Sequence, residues 1–158
     1  MLVTLVEMTD TLQVLQKFKK CIRNVSEIPT TRNTKLTSQE KEENFIHNGA
    51  LLLEKQIQSF EGIGGEPIKI YSEEDMYRAT NGYDPSLIIG HAISTVYRGN
   101  IDDRMVAIKF SQGLQVSGQM IDFFLNQVTI KQQISHKNVV RLYGCCLETQ
   151  IPILVRSS

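Results

Sequence analysis

A chain of 158 residues, 41% of them hydrophobic and 22% charged, has the balance of one globular domain with an extension, not of two full domains. Seventeen basic residues cancel seventeen acidic ones, which excludes the bulk electrostatic signature of a nucleic-acid binder. No apolar run approaches the roughly 18–20 residues of a membrane span, and the uncharged start Met1–Val6 lacks the basic lead and small-residue cleavage site of a signal peptide.

Along the chain, Met1, Leu5, Met8, Leu12, Leu15, Lys19 and Ile22 alternate at spacings of four and three, as one face of a helix would. Lys17, Lys19, Lys20 and Arg23 make its C-terminal end basic, which suits the helix dipole. Such a helix can pack on its own domain, lie on a membrane surface, dock on a partner, or extend unpacked. Residues 26–37, with Pro29, several Thr and Asn33, read as a linker. Thr37 with Glu40 forms the capping box of a second helix running to about Ile57, and Gly62, Gly64, Gly65 and Pro67 then break the pattern. Ile68–Tyr71 alternates like a short strand, and Ser72 with Asp75 opens a short helix that Asn81-Gly82 ends. From Leu87 on, strands are expected at Leu87–Ile89, Thr95–Gly99 and Met105–Phe110, then a helix over about Gln119–Gln133. Two more strands follow at Val139–Leu147 and Ile151–Val155.

Val106-Ala107-Ile108-Lys109 carries the strongest chemical signal. On a strand, Ala107 and Lys109 share one face while Val106, Ile108 and Phe110 take the other. A small residue is thereby set against a flat ring and an ammonium beside phosphates, as a nucleotide cleft requires. His47, His91 and His136 are scattered without acidic or cysteine partners at ligand spacing, and Asn24-Val25-Ser26 is a bare sequon. The three cysteines, Cys21, Cys145 and Cys146, have no metal-ligand spacing either. Neighbouring strand residues face opposite ways, so Cys145 and Cys146 read as reduced, structural thiols of a cytosolic chain, one on each face of a buried strand.

The run Ile134 to Thr149, with Asn48-Gly49 before Leu51-Leu52-Leu53 and Ala79-Thr80-Asn81-Gly82-Tyr83-Asp84, resembles the plant wall-associated kinases and their receptor-like cytoplasmic relatives. The likeness covers roughly residues 43–155. It implies an α+β fold, the N-terminal lobe of a protein kinase: a five-stranded antiparallel sheet with one main helix, preceded by a helical N-terminal extension. The implied organisation is an amphipathic helix and linker over 1–36, a juxtamembrane-like helical segment over 37–67, and a partial kinase domain over 68–158. Gly90, Val96, Ala107 and Lys109 are the ATP-binding positions it implies, with no metal ligand and no required cofactor.

Three departures from the family pattern stand out. The phosphate-covering loop of active kinases reads G-x-G-x-x-G-x-V, because bare backbone must approach phosphate closely. Here Gly90-His91-Ala92-Ile93-Ser94-Thr95-Val96 is one residue short and keeps only the first glycine, so ATP binding is expected to be degenerate. Where the family's F-I-N-E-V supplies a glutamate to the strand lysine, this chain has Phe124-Leu125-Asn126-Gln127-Val128. Gln127, on a stripe with Phe123, Ile130 and Ile134, is expected to face the sheet and offer Lys109 an uncharged hydrogen-bond acceptor. The sequence also ends at Ser158 without H-R-D, D-F-G or A-P-E motifs, so the chain by itself is expected not to be a kinase.

Two functions follow from the resemblance. In one the chain is a non-catalytic, pseudokinase-type adaptor of plant signalling, cytoplasmic or at the inner face of the plasma membrane. Its protein partner would be an immune receptor or an active kinase, with no nucleic acid, and residues 1–23 could touch the membrane peripherally. In the other it is a truncated or splice-form piece of a wall-associated-type serine/threonine kinase with residual ATP binding. In both, the face holding Val96 and Ala107 is expected to be exposed.

Overall fold

A computed structural model describes residues 35–58, 68–92, 94–111, 116–134 and 138–158. The expected first helix, the sequon and His136 lie outside the described residues. The elements run α1 (Ser38–Gln58), β1 (Lys69–Tyr71), α2 (Glu73–Ala79), β2 (Ile88–His91), β3 (Thr95–Ile101), β4 (Arg104–Phe110), α3 (Gly118–Gln133), β5 (Leu142–Cys146) and β6 (Ile153–Ser157).

Local chemistry explains the boundaries. The Thr37 hydroxyl accepts from the Glu40 N–H at 3.2 Å while the Glu40 carboxylate accepts from the Thr37 N–H at 2.8 Å, closing the expected capping box on α1. Ser72 and Asp75 repeat that device on α2. Asp102 and Asp103, at φ 51° and 60°, form the two-residue turn that reverses β3 into β4, with Ile101 paired to Arg104. Positive φ at both central residues matches the strand twist, and Asp tolerates it.

The sheet has six strands in the order β1-β5-β6-β4-β3-β2. Five of them, β2 to β6, pair antiparallel as expected, and β1 adds to β5 as a sixth, parallel strand, so the sheet is mixed. The extra strand depends on Gly144, whose missing side chain lets the Lys69 carbonyl lie directly over its backbone.

Alternation along the strands builds two apolar layers. On the outer face Tyr71, Met76, Tyr97, Val106, Ile108, Cys146, Ile153 and Val155 form one core under α2. On the inner face Ala107 and Leu154 are buried on the side where α3 contributes Phe124, Leu125 and Val128. α1 packs along α3, fastened by the Lys55–Asp122 ion pair at 3.0 Å and the Gln56–Gln132 hydrogen bond at 3.0 Å. It also holds the β5–β6 turn: the Asn48 amide donates to the Leu147 and Thr149 carbonyls at 3.0 and 2.9 Å.

Candidate functional site

Lys109 is placed by its strand. It pairs across the sheet with Val96 on β3 and Leu154 on β6, so its side chain rises from the inner face toward α3. There its ammonium donates to the Gln127 carbonyl oxygen at 3.3 Å and lies 5.6 and 5.2 Å from the ring centres of Phe123 and Phe124. The expected contact between Lys109 and Gln127 is therefore present. Ion–ring attraction contributes roughly 0.5–1 kcal/mol at such sites, less than an apposed carboxylate would supply in a half-buried cleft.

The surroundings are cationic. Burial pushes the Lys109 ammonium down to about 8, and the nearby Arg156 and Lys131 charges push the same way. Lys131 is itself lowered, by burial first and then by Arg156. Lys109→Met removes a partly desolvated cation while keeping the volume, and substitutions of this kind can be stabilising. The variant is expected to exceed the parent by about 1 kcal/mol at pH 7 in urea unfolding. A folded-state value near 8 lies below the unfolded value, so the unfolded chain binds the extra proton between about pH 8 and 10.4, and the parent gains relative to the variant across that window. The variant's advantage should therefore shrink from pH 8 to 10. Cys145 and Cys146, both pushed up to about 12 by burial, lower the stability of both proteins in that range and cancel in the comparison.

Ala107 does not stand in an open cleft. It is 3% exposed, set in register between Arg98 on β3 and Arg156 on β6. Val96 is half-buried. The expectation of an exposed Val96 and Ala107 face is corrected on this point: flanking strands place an arginine on each side of the small residue. Arg156, the cross-strand neighbour of Ala107 on β6, has a buried and unpartnered Nε.

Gly90 pairs with Val96, and His91 with Thr95. The Ala92 N–H donates to the Ser94 carbonyl at 3.1 Å, so it closes the turn and does not point outward as a phosphate donor. His91 Nδ1 lies 2.9 Å from the Thr95 hydroxyl.

α3 turns differently from the expectation. Its buried row is Met120, Ile121, Phe124, Leu125, Val128 and Thr129, whereas Phe123 and Gln127 sit at the margin and Ile130 and Ile134 are 56% and 45% exposed. The stripe assigned to the sheet thus runs off the edge of the packed face. Among the described residues no group of three His, Cys, Asp or Glu could hold a metal ion, and no helix is long and apolar enough to cross a membrane. A cavity of about 280 Å³ opens elsewhere, on the outer side between Tyr71, Val106 and Tyr143.

Arg98, Lys131 and Arg156 are the site residues that the sequence did not flag. Their common face follows from cross-strand register and helix rotation, and neither is a property of any one motif.

A six-stranded sheet with a lysine on its inner face, reaching a helix laid across it, is the N-terminal lobe of a protein-kinase domain. Residues 88–157 match the family described as protein tyrosine and serine/threonine kinase. The chain is 41% identical over 139 residues to wall-associated receptor kinase-like 16 of Arabidopsis thaliana, covering 85% of this chain and 31% of that protein. Against wall-associated receptor kinase 3 and wall-associated receptor kinase 1 of the same plant it is 39% and 42% identical, covering 85% and 78% of this chain. Residues 88–157 belong to the protein-kinase family, and the chain is related to the wall-associated kinases over their N-terminal-lobe region. It spans 31%, 17% and 16% of the length of these three relatives.

Proposed function

We propose that this chain is a non-catalytic, kinase-like module that works by docking on another protein, cytoplasmic or at the inner face of the plasma membrane. The observation that carries the reading is the partner of Lys109: a neutral glutamine at 3.3 Å where an active kinase needs a carboxylate. The inward-turned Ala92 N–H and the arginines beside Ala107 point the same way, since each removes a feature a magnesium nucleotide would use. An immune receptor or an active kinase is the partner class that the family likeness suggests.

The test is a melt of the full chain with and without millimolar Mg-ATP. A ligand at 100 times its dissociation constant stabilises by about 2.7 kcal/mol, several degrees for a domain of this size. The midpoint is expected to stay within about one degree, a shift too small for such binding. A second reading, a piece of a longer wall-associated-type kinase with residual ATP binding, draws on the limited share of the relatives that the chain spans. A clear rise with Mg-ATP would favour it and overturn the first.

A further inference from the structure

Lys109, Lys131, Arg156 and the Gln127 amide form one group on the inner face. Lys109 and Gln127 are in contact at 3.3 Å. Lys131 follows Gln127 by four residues on α3, which brings the two side chains over the same face one turn apart. Arg156 is diagonal to Lys109 across the β4–β6 pair, two residues beyond Leu154, on the same side of the sheet. Its charge is felt by both lysines.

Nothing acidic answers these cations among the described residues. The ion pairs there engage Lys35, Lys41, Lys55, Lys69 and Arg78, and none engages Lys109, Lys131 or Arg156. Two donors in the group are also buried with no acceptor, Gln127 Nε2 and Arg156 Nε. Buried donors without acceptors cost free energy comparable to a lost hydrogen bond, and like charges at close range add to that cost. An anion with several acceptor oxygens relieves both at once. A planar base does not, because the register that brings Arg156 into the group sets it beside Ala107.

We propose that this face binds a free phosphate-type oxyanion, without a divalent metal and without a nucleoside. The Lys109 and Lys131 ammonium groups, the Arg156 guanidinium and the Gln127 amide are its donors. The proposal rests on the reading above that the site does not take a magnesium nucleotide. It assigns the ligand class the same residues would take instead.

The experiment is a melt of the full chain, and titration calorimetry, with inorganic phosphate and with pyrophosphate, in EDTA at constant ionic strength. Adenosine and Mg-ATP serve as separate arms. The expected result is a rise in midpoint with pyrophosphate in EDTA, a smaller rise with phosphate, and none with adenosine. Arg156→Ala and Lys131→Ala should each weaken pyrophosphate binding about tenfold or more, the loss expected for one hydrogen bond to a charged group. Both lie at the margin of the packed layers, and a cooperative melt without ligand confirms that each variant folds. No rise with pyrophosphate overturns the proposal. So does a rise that both variants retain, which would be a general salt effect. If Mg-ATP and adenosine stabilise while pyrophosphate in EDTA does nothing, the docking reading and the oxyanion site both fall. If Mg-ATP stabilises alongside pyrophosphate and the variants lose only the pyrophosphate effect, the docking reading falls and the oxyanion site stands; if they lose both effects, the face is a nucleotide site and both readings fall.

Discussion

Replacing Gly144 by valine should detach the first strand of the sheet. A Cβ at this position would fall on the Lys69 carbonyl and come within 2.6 Å of Tyr71 Cε2. Neither neighbour can step aside easily. The carbonyl is backbone within the parallel pair Lys69–Gly144, Ile70–Cys145 and Tyr71–Cys146, and Tyr71 is an 8%-exposed member of the outer core. Relief therefore requires β1 to lift, which surrenders three residues of pairing and much of the Tyr71 burial. Fully burying a large apolar side chain contributes about 1.5–3 kcal/mol, and overpacking strain adds a similar amount. A loss of about 3 kcal/mol is expected, a fall in melting midpoint on the order of 10 °C. Gly118→Ala is the matched control. Nothing lies within 4 Å of a Cβ there, and the site is the first residue of α3. Alanine in that helical position should leave stability unchanged or raise it by about 0.4–1 kcal/mol. Urea unfolding of both variants checks the pair. A Gly144→Val protein as stable as its parent would mean that β1 contributes no packing to the lobe.

That dependence on Gly144 shows where the sequence stops being readable. Features encoded within a few residues were legible. The Thr37–Glu40 and Ser72–Asp75 capping boxes and the alternation of Val106 to Phe110 all act over a turn or two of chain. The contact between Lys109 and Gln127 was legible for a different reason, through the family motif that carries both positions. What was hidden depends on partners distant in sequence. β1 joins β5 across more than seventy residues, and the one local trace is a glycine that has many other possible causes. The arginines beside Ala107 come from two strands, and only the register of β3 and β6 against β4 sets them level. α3 misled because Met120, Ile121, Phe123, Phe124, Leu125, Val128 and Ile130 put apolar side chains on most of its circumference. Helical periodicity then fits either row, and packing against the sheet chose the one through Phe124 and Val128.

Asn48 offers the sharpest test of whether α1 belongs to the working lobe. The residue is 1% exposed, and its amide nitrogen donates to two carbonyls of the β5–β6 turn, those of Leu147 and Thr149. Asn44 adds a bond to the Glu148 carbonyl at 3.1 Å, so the helix satisfies three consecutive carbonyls of a buried turn. Asn48→Ala leaves two acceptors without donors and should cost about 2–3 kcal/mol. Asn48→Asp should cost more at pH 7, about 3–5 kcal/mol, because it buries an unpaired carboxylate against two carbonyl oxygens. The two variants separate on acidification. Desolvation and the facing carbonyls raise the folded-state value of the new carboxyl above its unfolded value of about 3.9, so its ionised form is the destabilising one. As pH falls from 7 the aspartate variant should recover toward the parent, since the protonated acid donates to one of the carbonyls. The alanine variant has no group that titrates and should keep a constant deficit. Urea unfolding of parent and both variants at pH 7 and pH 5 reads the difference. Recovery confined to Asn48→Asp would establish that this amide is a donor tying α1 to the turn. Equal, pH-independent losses would reduce its role to filling space, and α1 would then be packed on the lobe without being required by it.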